Sequence, residues 1–297
     1  MTVFHDIIDD YKRILMSYKK IFFPIGGGGE LKERLFAALL IAKYFNVNLE
    51  ILKCLHESGK KMYKNLGISS HIMKEIDDVI ALKAKEESIE FEKAIKEIGK
   101  IVGMEVSTTP IKNKVHALLT VKEGNRSLLV EEESKFCDIV IAAAPPSGIA
   151  TATFETSVLK SGKPVLMFPR TMKTFNTKSI IIGWNNTVES SRVITSSIEL
   201  LKQAERVQIV SSDEYSGDMN KLNQLIEYLK FHGIDASYKI VETTRIPGQA
   251  LLNAALDGNF DLIVAGAYGH KGLKELMFGG ATRYLLENST LPVFMSH

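Results

Sequence analysis

The sequence carries the same series of short apolar segments twice, in the same order, and this repeat restricts the chain to a duplicated fold. The clearest pair is residues 137–144 (CDIVIAAA) and residues 260–267 (FDLIVAGA). Two further pairs flank it, namely 163–168 with 291–296 and 20–24 with 179–183. Because the three pairs occur in one order, we expect a duplicated domain.

Each repeated segment is nearly continuous in apolar residues, which is typical of a strand buried on both faces of a parallel sheet. Amphipathic helical patterns lie between the segments, and this alternation predicts right-handed βαβ units and two doubly wound α/β domains. The first half is predicted to have strands near 20–25, 48–55, 114–121, 138–144 and 164–168, and helices near 29–45, 70–102, 125–136 and 150–161. The second half is predicted to have strands near 178–184, 206–211, 235–242, 261–267 and 292–296, and helices near 188–204, 218–232, 247–257 and 279–288.

A short polar segment, residues 169–177, separates the two halves. We therefore expect an N-terminal domain at 1–170 and a C-terminal domain at 178–297. An additional amphipathic helix near 4–18 is expected to cover an edge or a face of the first sheet. A chain of 297 residues is long enough for two such domains.

Composition and charge exclude several classes of protein. The sequence is 45% apolar and 24% charged, which is typical of globular proteins. It has a net charge of +2 and no long block of like charge, so nucleic acid is not an expected partner. No uncharged stretch is long enough to span a membrane, and Asp6, Asp9 and Asp10 do not suit a signal peptide. Two cysteines in apolar runs suit a reducing compartment, so we expect a cytoplasmic protein without a membrane partner.

The segment after the fourth strand of the second half is the strongest candidate for a ligand site. Gly266-Ala267-Tyr268-Gly269 is followed, after nine residues, by Gly279-Gly280-Ala281-Thr282 at a predicted helix start. Ligands of open α/β sheets bind outside the carboxyl ends of the strands. Glycine lets a backbone approach a ligand, and free amides at a helix start attract phosphate. The Thr282 hydroxyl is a further donor for phosphate there. The alternative is that Gly266 and Gly269 make a tight turn and that Gly279-Gly280 start an ordinary helix.

With glycines at G-x2-G-x9-G-G spacing and Pro292-Val293 in the last strand, residues 261–297 resemble the nucleotide loop of the universal stress protein family. The resemblance extends to both halves. It implies a five-stranded parallel sheet in each domain with strand order 3-2-1-4-5, paired along the last strands. It also implies ATP or ADP as the ligand, with Mg as an accompanying ion. A homodimer and an unidentified protein partner are compatible with the resemblance.

The resemblance also assigns contacts. Adenine, ribose and adenosine contacts fall on the ends of two strands, at Trp184, Asn185, Ala265 and Gly266. Phosphate contacts fall on Gly269, Gly279, Gly280 and Ala281, with Thr282 beside them. Two residues depart from the family pattern, which commonly has Asp at the position of Asn185 and Ser or Thr at that of Gly280. These changes remove a charge and a hydroxyl, and they weaken triphosphate selectivity more than binding itself.

The first half lacks an equivalent loop. Its fourth strand leads into Pro145 and Pro146 along a shorter connection, and proline has no amide to donate. The run Gly26-Gly27-Gly28-Gly29 is not followed by Gly-Lys-Ser/Thr, so a flexible βα turn is favoured there. A site for some other anion remains open.

No catalytic or metal-binding residues are predicted, because the sequence has no G-x-S-x-G elbow, no H-E-x-x-H and no C-x-x-C. His270 is expected to be an ordinary loop residue, and Cys54 with His56 is too small a set for a metal. Three functions stay open: a nucleotide-binding stress or regulatory protein, a slow ATPase, and an interaction module for a non-nucleotide ligand. The glycine loop favours the first, and the missing catalytic base disfavours the second.

Overall fold

A computed structural model describes residues 18–55, 70–212, 219–242, 245–267 and 280–297. The helix predicted near 4–18 lies outside the described residues, except for Tyr18. Within the described ranges, eleven strands and eight α-helices alternate along the chain. The predicted strands and helices within them are confirmed, with boundaries that differ by a few residues.

The N-terminal half contains β1 (Lys20–Pro24), β2 (Asn48–Leu55), β3 (Val106–Ser107), β4 (Ala117–Glu123), β5 (Ile139–Ala143) and β6 (Val165–Phe168). Its helices are α1 (Leu31–Phe45), α2 (Ser70–Val102), α3 (Arg126–Glu133) and α4 (Ala152–Leu159). The C-terminal half contains β7 (Ser179–Gly183), β8 (Arg206–Ser212), β9 (Ala236–Val241), β10 (Leu262–Gly266) and β11 (Val293–Ser296). Its helices are α5 (Val188–Gln203), α6 (Met219–Phe231), α7 (Pro247–Asp257) and α8 (Ala281–Asn288).

The described strands form one sheet in the order β3-β4-β2-β1-β5-β6-β11-β10-β7-β8-β9. In the C-terminal half this is the predicted order 3-2-1-4-5. The N-terminal half repeats that order but adds β3 at its edge, so the prediction of five strands there was wrong. The chain turns back after α2 at Gly103, which has a φ of 75°. Val106 of β3 then pairs with Ala117, the first residue of β4.

The two halves meet along their last strands, as predicted. Strands β6 and β11 are antiparallel, with Phe294 opposite Leu166, and every residue of both strands is buried. All other strand pairs of the sheet are parallel. The carboxyl ends of the strands therefore lie at opposite edges of the sheet in the two halves.

Helices cover both faces of this sheet, which explains the continuous apolar character of the central strands. In β7, Ile180 and Ile182 belong to one apolar cluster, whereas Ile181 belongs to the other. Residues of α1, α2, α5 and α6 complete the first cluster, and residues of α3, α4, α7 and α8 complete the second. This is the doubly wound arrangement that the alternation of elements predicts.

The segment between the halves packs against α1. Phe175 makes edge-to-face contacts with Tyr44 and Phe45 at centroid distances of 5.0 and 5.4 Å. The Thr177 amide donates to the Tyr44 hydroxyl oxygen at 3.1 Å. The linker is thus attached to the N-terminal half, and the division at residues 170 and 178 stays a prediction. No helix within the described ranges has the length and apolarity that crossing a membrane requires.

Candidate functional site

The strand order of the C-terminal half reverses between β7 and β10, and this is where an α/β sheet opens a cleft. The register places Gly183 between Val210 of β8 and Ala265 of β10. One residue further on, the chain therefore brings Trp184 between Ser211 and Gly266. Sequence reasoning places Trp184, Ala265 and Gly266 in a ligand site, and the structure brings these residues together at one edge.

Trp184 and Asn185 directly follow β7 and lie in different environments. Trp184 is half-buried, packs against the first apolar cluster, and donates its amide to the Val210 carbonyl at 2.9 Å. Asn185 is exposed, and its Oδ1 accepts a hydrogen bond from the Thr187 hydroxyl at 2.9 Å. Thr187 in turn caps α5, where it forms a capping box with Ser190. Asn185 is therefore oriented by the start of a helix.

Gly266 has a packing role that sequence reasoning missed. A Cβ at this position would lie 2.8 Å from the Ser190 nitrogen and 2.9 Å from the Glu189 carbonyl carbon. Real Cβ atoms do not approach so closely, so only glycine lets α5 begin directly beside the end of β10. The nucleotide contact assigned to Gly266 stays a prediction, and the packing gives a separate reason for this glycine.

Three buried polar atoms at this edge have no hydrogen-bond partner in the part of the chain that the structure describes. They are Glu189 Oε2, Ser211 Oγ and Ser212 Oγ. Buried polar groups are nearly always paired, and an unpaired one costs roughly 1–3 kcal/mol. Sequence reasoning missed all three, although a Ser-Ser pair at the end of the second strand of a doubly wound domain was a readable signal.

The start of α8 is held close to the same edge by α7. A Cβ at Gly183 would lie 2.7 Å from Leu251 Cδ2, and a Cβ at Gly248 would lie 2.6 Å from the Ala281 carbonyl oxygen. These contacts connect the end of β7 to the first turn of α8. Gly280 is the N-cap of α8, has extended backbone and, as a glycine, supplies no side-chain cap itself. Ala281 and Thr282 follow it and are half-buried.

Residues 268–279 lie outside the described residues, and with them Gly269, Gly279 and His270. Their assignment to a phosphate loop, or to an ordinary loop in the case of His270, stays a prediction.

The equivalent connection of the N-terminal half packs onto the other half. Gly148, with a φ of 70°, lies so close to α8 that a Cβ there would be 2.3 Å from Glu287 Cγ. The turn containing Pro145 and Pro146 is thus occupied by a contact between the halves. That the N-terminal loop is not a nucleotide loop stays a prediction.

The fold and this cleft define a doubly wound α/β protein with its candidate site at the carboxyl edge of the C-terminal half. Residues 193–297 match the model of the Universal stress protein family. The match covers most of the C-terminal half and does not extend to the N-terminal half.

Two solved structures share the fold over 94% of the chain. A universal stress protein from Archaeoglobus fulgidus DSM 4304 is similar over 94% of this chain and 98% of that chain, with 16% identity and a TM-score of 0.67. A functionally unknown protein from Pseudomonas aeruginosa PAO1 is similar over 94% and 92%, with 14% identity and a TM-score of 0.53. A universal stress protein in complex with cAMP is similar over 40% and 96%, with 18% identity and a TM-score of 0.36. A search of curated proteins gave no match.

Proposed function

We propose that this chain is a tandem universal stress protein whose C-terminal half binds an adenine nucleotide, ATP or ADP, in the cytoplasm. In this proposal, occupancy by nucleotide changes the surface that the chain offers to a protein partner. The family match at residues 193–297 supports the class of protein. The geometry of the site supports the proposal that a ligand binds there.

The observation that carries it is the set of unpaired buried polar atoms at the reversal of strand order. Ser211 Oγ and Ser212 Oγ lack partners, and so does Glu189 Oε2 at the start of α5. Ser211 and Ser212 are neighbours in β8 and so point to opposite faces of the sheet. Ribose hydroxyls are both donors and acceptors, so a nucleoside bound on one face can pair with a serine hydroxyl or a carboxylate there. The residues present therefore fit a ribose better than a purely apolar ligand.

The neighbouring residues suit the other two parts of a nucleotide. Trp184 is half-buried and so offers part of its indole for stacking on a base, and Asn185 offers an exposed amide. The start of α8 at Gly280 and Ala281 suits a phosphate group, with the positive end of the helix dipole behind it. The loop glycines Gly269 and Gly279 belong to this part of the proposal.

The first experiment is to denature the purified protein and identify the released small molecules by mass spectrometry. We expect ATP or ADP in an amount comparable to that of the protein. Titration of ATP, ADP and GTP into nucleotide-free protein, followed by the fluorescence of Trp184, tests base selectivity, because Trp184 is the single tryptophan. Ser211→Ala together with Ser212→Ala should weaken ATP binding, and Ser196→Ala, at a half-buried position of α5, is the matched control.

Two results would remove the proposal. Nucleotide-free protein that does not bind ATP in the titration would leave the interaction module as the better function. Sustained release of phosphate from radiolabelled ATP would move the protein to the slow ATPase class, which no described residue specifically supports.

A further inference from the structure

The N-terminal half has its own reversal of strand order, between β1 and β5, and three arginines gather there. The loop Gly26–Gly29 (residues 26–29) follows β1 at this edge. Arg34 reaches it from α1, Arg126 from the start of α3, and Arg170 from the segment after β6. These residues are far apart in the sequence, and the sheet topology brings them together.

Arg34 is the most buried of the three, with 2% of its surface exposed. Its Nη1 donates to the Gly26 carbonyl and its Nη2 to the Gly28 carbonyl, each at 3.0 Å. Its Nε is buried and has no hydrogen-bond partner among the described residues. A buried guanidinium with an unused donor is costly unless another group supplies an acceptor.

Arg126 has the same unused donor. Its Nε is buried and lacks a partner within the described ranges, although its side chain also hydrogen-bonds the Cys54 thiol. Its Nη1 is the nearest atom to the space above Gly27, 3.9 Å from where a Cβ would be. Arg34 and Arg126 therefore each have an unused Nε donor, and the Nη atoms of both side chains lie beside the same glycine loop.

Arg170 holds the opposite side of the loop in place. Its Nε donates to Glu30 Oε2 at 2.7 Å, and its Nη1 and Nη2 donate to the carbonyls of Ala144 and Gly29. Within the described residues, Arg170 is the one of these three arginines that forms an ion pair, and its partner is Glu30. Burial lowers the pKa of Arg34, the charges of Arg170 and Arg126 lower it further, and the carboxylates of Glu30 and Glu33 oppose this.

The glycines of the loop also favour a ligand site here. Gly28 needs to be glycine, because its φ is 96° and a Cβ would meet Arg170 and Pro146. Gly26 and Gly29 have no such reason: their φ values suit any residue, and a Cβ at either would meet open space. Gly27 is similar, with Arg126 alone nearby. Packing and backbone conformation therefore do not explain why residues 26, 27 and 29 are glycine, and the space beside them is open.

We propose that Arg34, Arg126 and the loop Gly26–Gly29 form a second ligand site, which binds the phosphate group of a small molecule. A tetrahedral oxyanion has four oxygens and can accept hydrogen bonds from two separate guanidinium groups. A planar carboxylate has two oxygens and satisfies fewer of these donors. The site is independent of the nucleotide site proposed for the C-terminal half, and it lies at the opposite edge of the sheet.

Calorimetric titration of inorganic phosphate, and separately of ribose 5-phosphate, into the full chain tests this site. Gly26→Val fills the open space without changing charge or backbone conformation. Arg126→Gln removes one of the unused donors. Arg192→Gln is the matched control, because it removes the same charge from an exposed position on α5 in the other half. Thermal melting of each variant shows that it is folded.

We expect saturable binding to the unchanged protein and to Arg192→Gln, and at least about tenfold weaker binding to Arg126→Gln and Gly26→Val, since each change removes about 1.4 kcal/mol or more. Tighter binding of ribose 5-phosphate than of inorganic phosphate would identify a phosphomonoester as the ligand, and the reverse would identify the free ion. The proposal is overturned if the unchanged protein binds neither probe, or if Arg126→Gln and Gly26→Val bind as it does. It is equally overturned if Arg192→Gln weakens binding as much as they do, because the effect would then be one of overall charge.

Discussion

Gly148 of the N-terminal half lies directly against Glu287 of α8, so that a Cβ on Gly148 would be 2.7 Å from the Glu287 Cα. This contact joins the turn after β5 to the helix whose first residues belong to the candidate nucleotide site. The two halves therefore touch at a second place besides the β6–β11 pair.

Gly148→Ala should destabilise the protein by more than its backbone conformation alone explains. A left-handed conformation costs a non-glycine residue about 1–2 kcal/mol, and the clash with α8 adds to this. Gly162→Ala is the control, because Gly162 has a similar φ of 66° but a Cβ there meets open space. Urea unfolding of both variants measures the difference. Equal losses of unfolding free energy would show that the contact with Glu287 does not matter.

Changes in the glycine loop should alter ATP binding in opposite directions. Gly279→Val is expected to abolish binding measured by calorimetry, because a branched side chain occupies space that the phosphates need. Gly280→Ser should tighten binding by about 0.5–1.5 kcal/mol, since it supplies a hydroxyl for the phosphates. Ser147→Ala, in the N-terminal half, should leave ATP binding unchanged.

Gly280 is also the N-cap of α8, where serine improves the helix by a few tenths of a kcal/mol over glycine. Melting of the nucleotide-free Gly280→Ser protein separates this effect from ligand binding. Undiminished ATP binding by folded Gly279→Val protein would contradict the phosphate loop.

Removal of residues 292–297 should leave insoluble protein. Strand β11 lies between β6 and β10, and Val293, Phe294 and Met295 are at most 1% exposed. Each buried side chain of this size contributes about 1.5–3 kcal/mol, against a total stability of about 5–15 kcal/mol for a typical domain. Deletion of the exposed His297 alone is the control and should keep the protein soluble. A soluble, cooperatively folding product of the longer deletion would refute the role given to β11.

The two cysteines should differ in their reaction with iodoacetamide. Burial raises the pKa of the Cys137 thiol to about 12, so almost no thiolate forms at pH 8 in the folded protein. Burial also raises the pKa of the half-buried Cys54, but Arg126 opposes the rise. Mass spectrometry should therefore show alkylation of Cys54 before Cys137, and alkylation of both after unfolding.

Arg126→Gln should slow the reaction of Cys54, because loss of the positive charge disfavours the thiolate. Faster labelling of Cys137 than of Cys54 would contradict the burial of Cys137. The raised pKa of Cys137 also predicts a loss of stability as the pH rises above the ordinary thiol value of about 9 towards 12, because the unfolded chain then releases a proton that the folded chain retains.

Much of the fold was predictable from sequence because strands buried on both faces leave an unmistakable apolar run. Ile180, Ile181 and Ile182 are an example, with no exposed surface on either side of the sheet. The two-residue strand β3 was not predictable, since Val106 and Ser107 form no such run and their pairing depends on the turn at Gly103.

The candidate site was predictable only in part. Positions that end strands, such as Trp184, follow from the alternation of elements. The close packing of Gly266 on α5 does not, because the distance between a strand and a later helix is set by tertiary structure. The same reason applies to Arg34, Arg126 and Arg170. They lie far apart in the sequence, and the sheet topology brings them together.

The antiparallel pairing of β6 with β11 gives the chain two openings that face away from each other. A molecule that enters at Trp184 does not obstruct one that approaches Arg34, so neither excludes the other by size. An influence of one ligand on the other can then pass through the shared sheet, through the contact of Gly148 with α8, or through the hydrogen bond from the Tyr18 hydroxyl to the Ser196 carbonyl. If both proposed sites are real ligand sites, the pairing lets both be occupied at the same time.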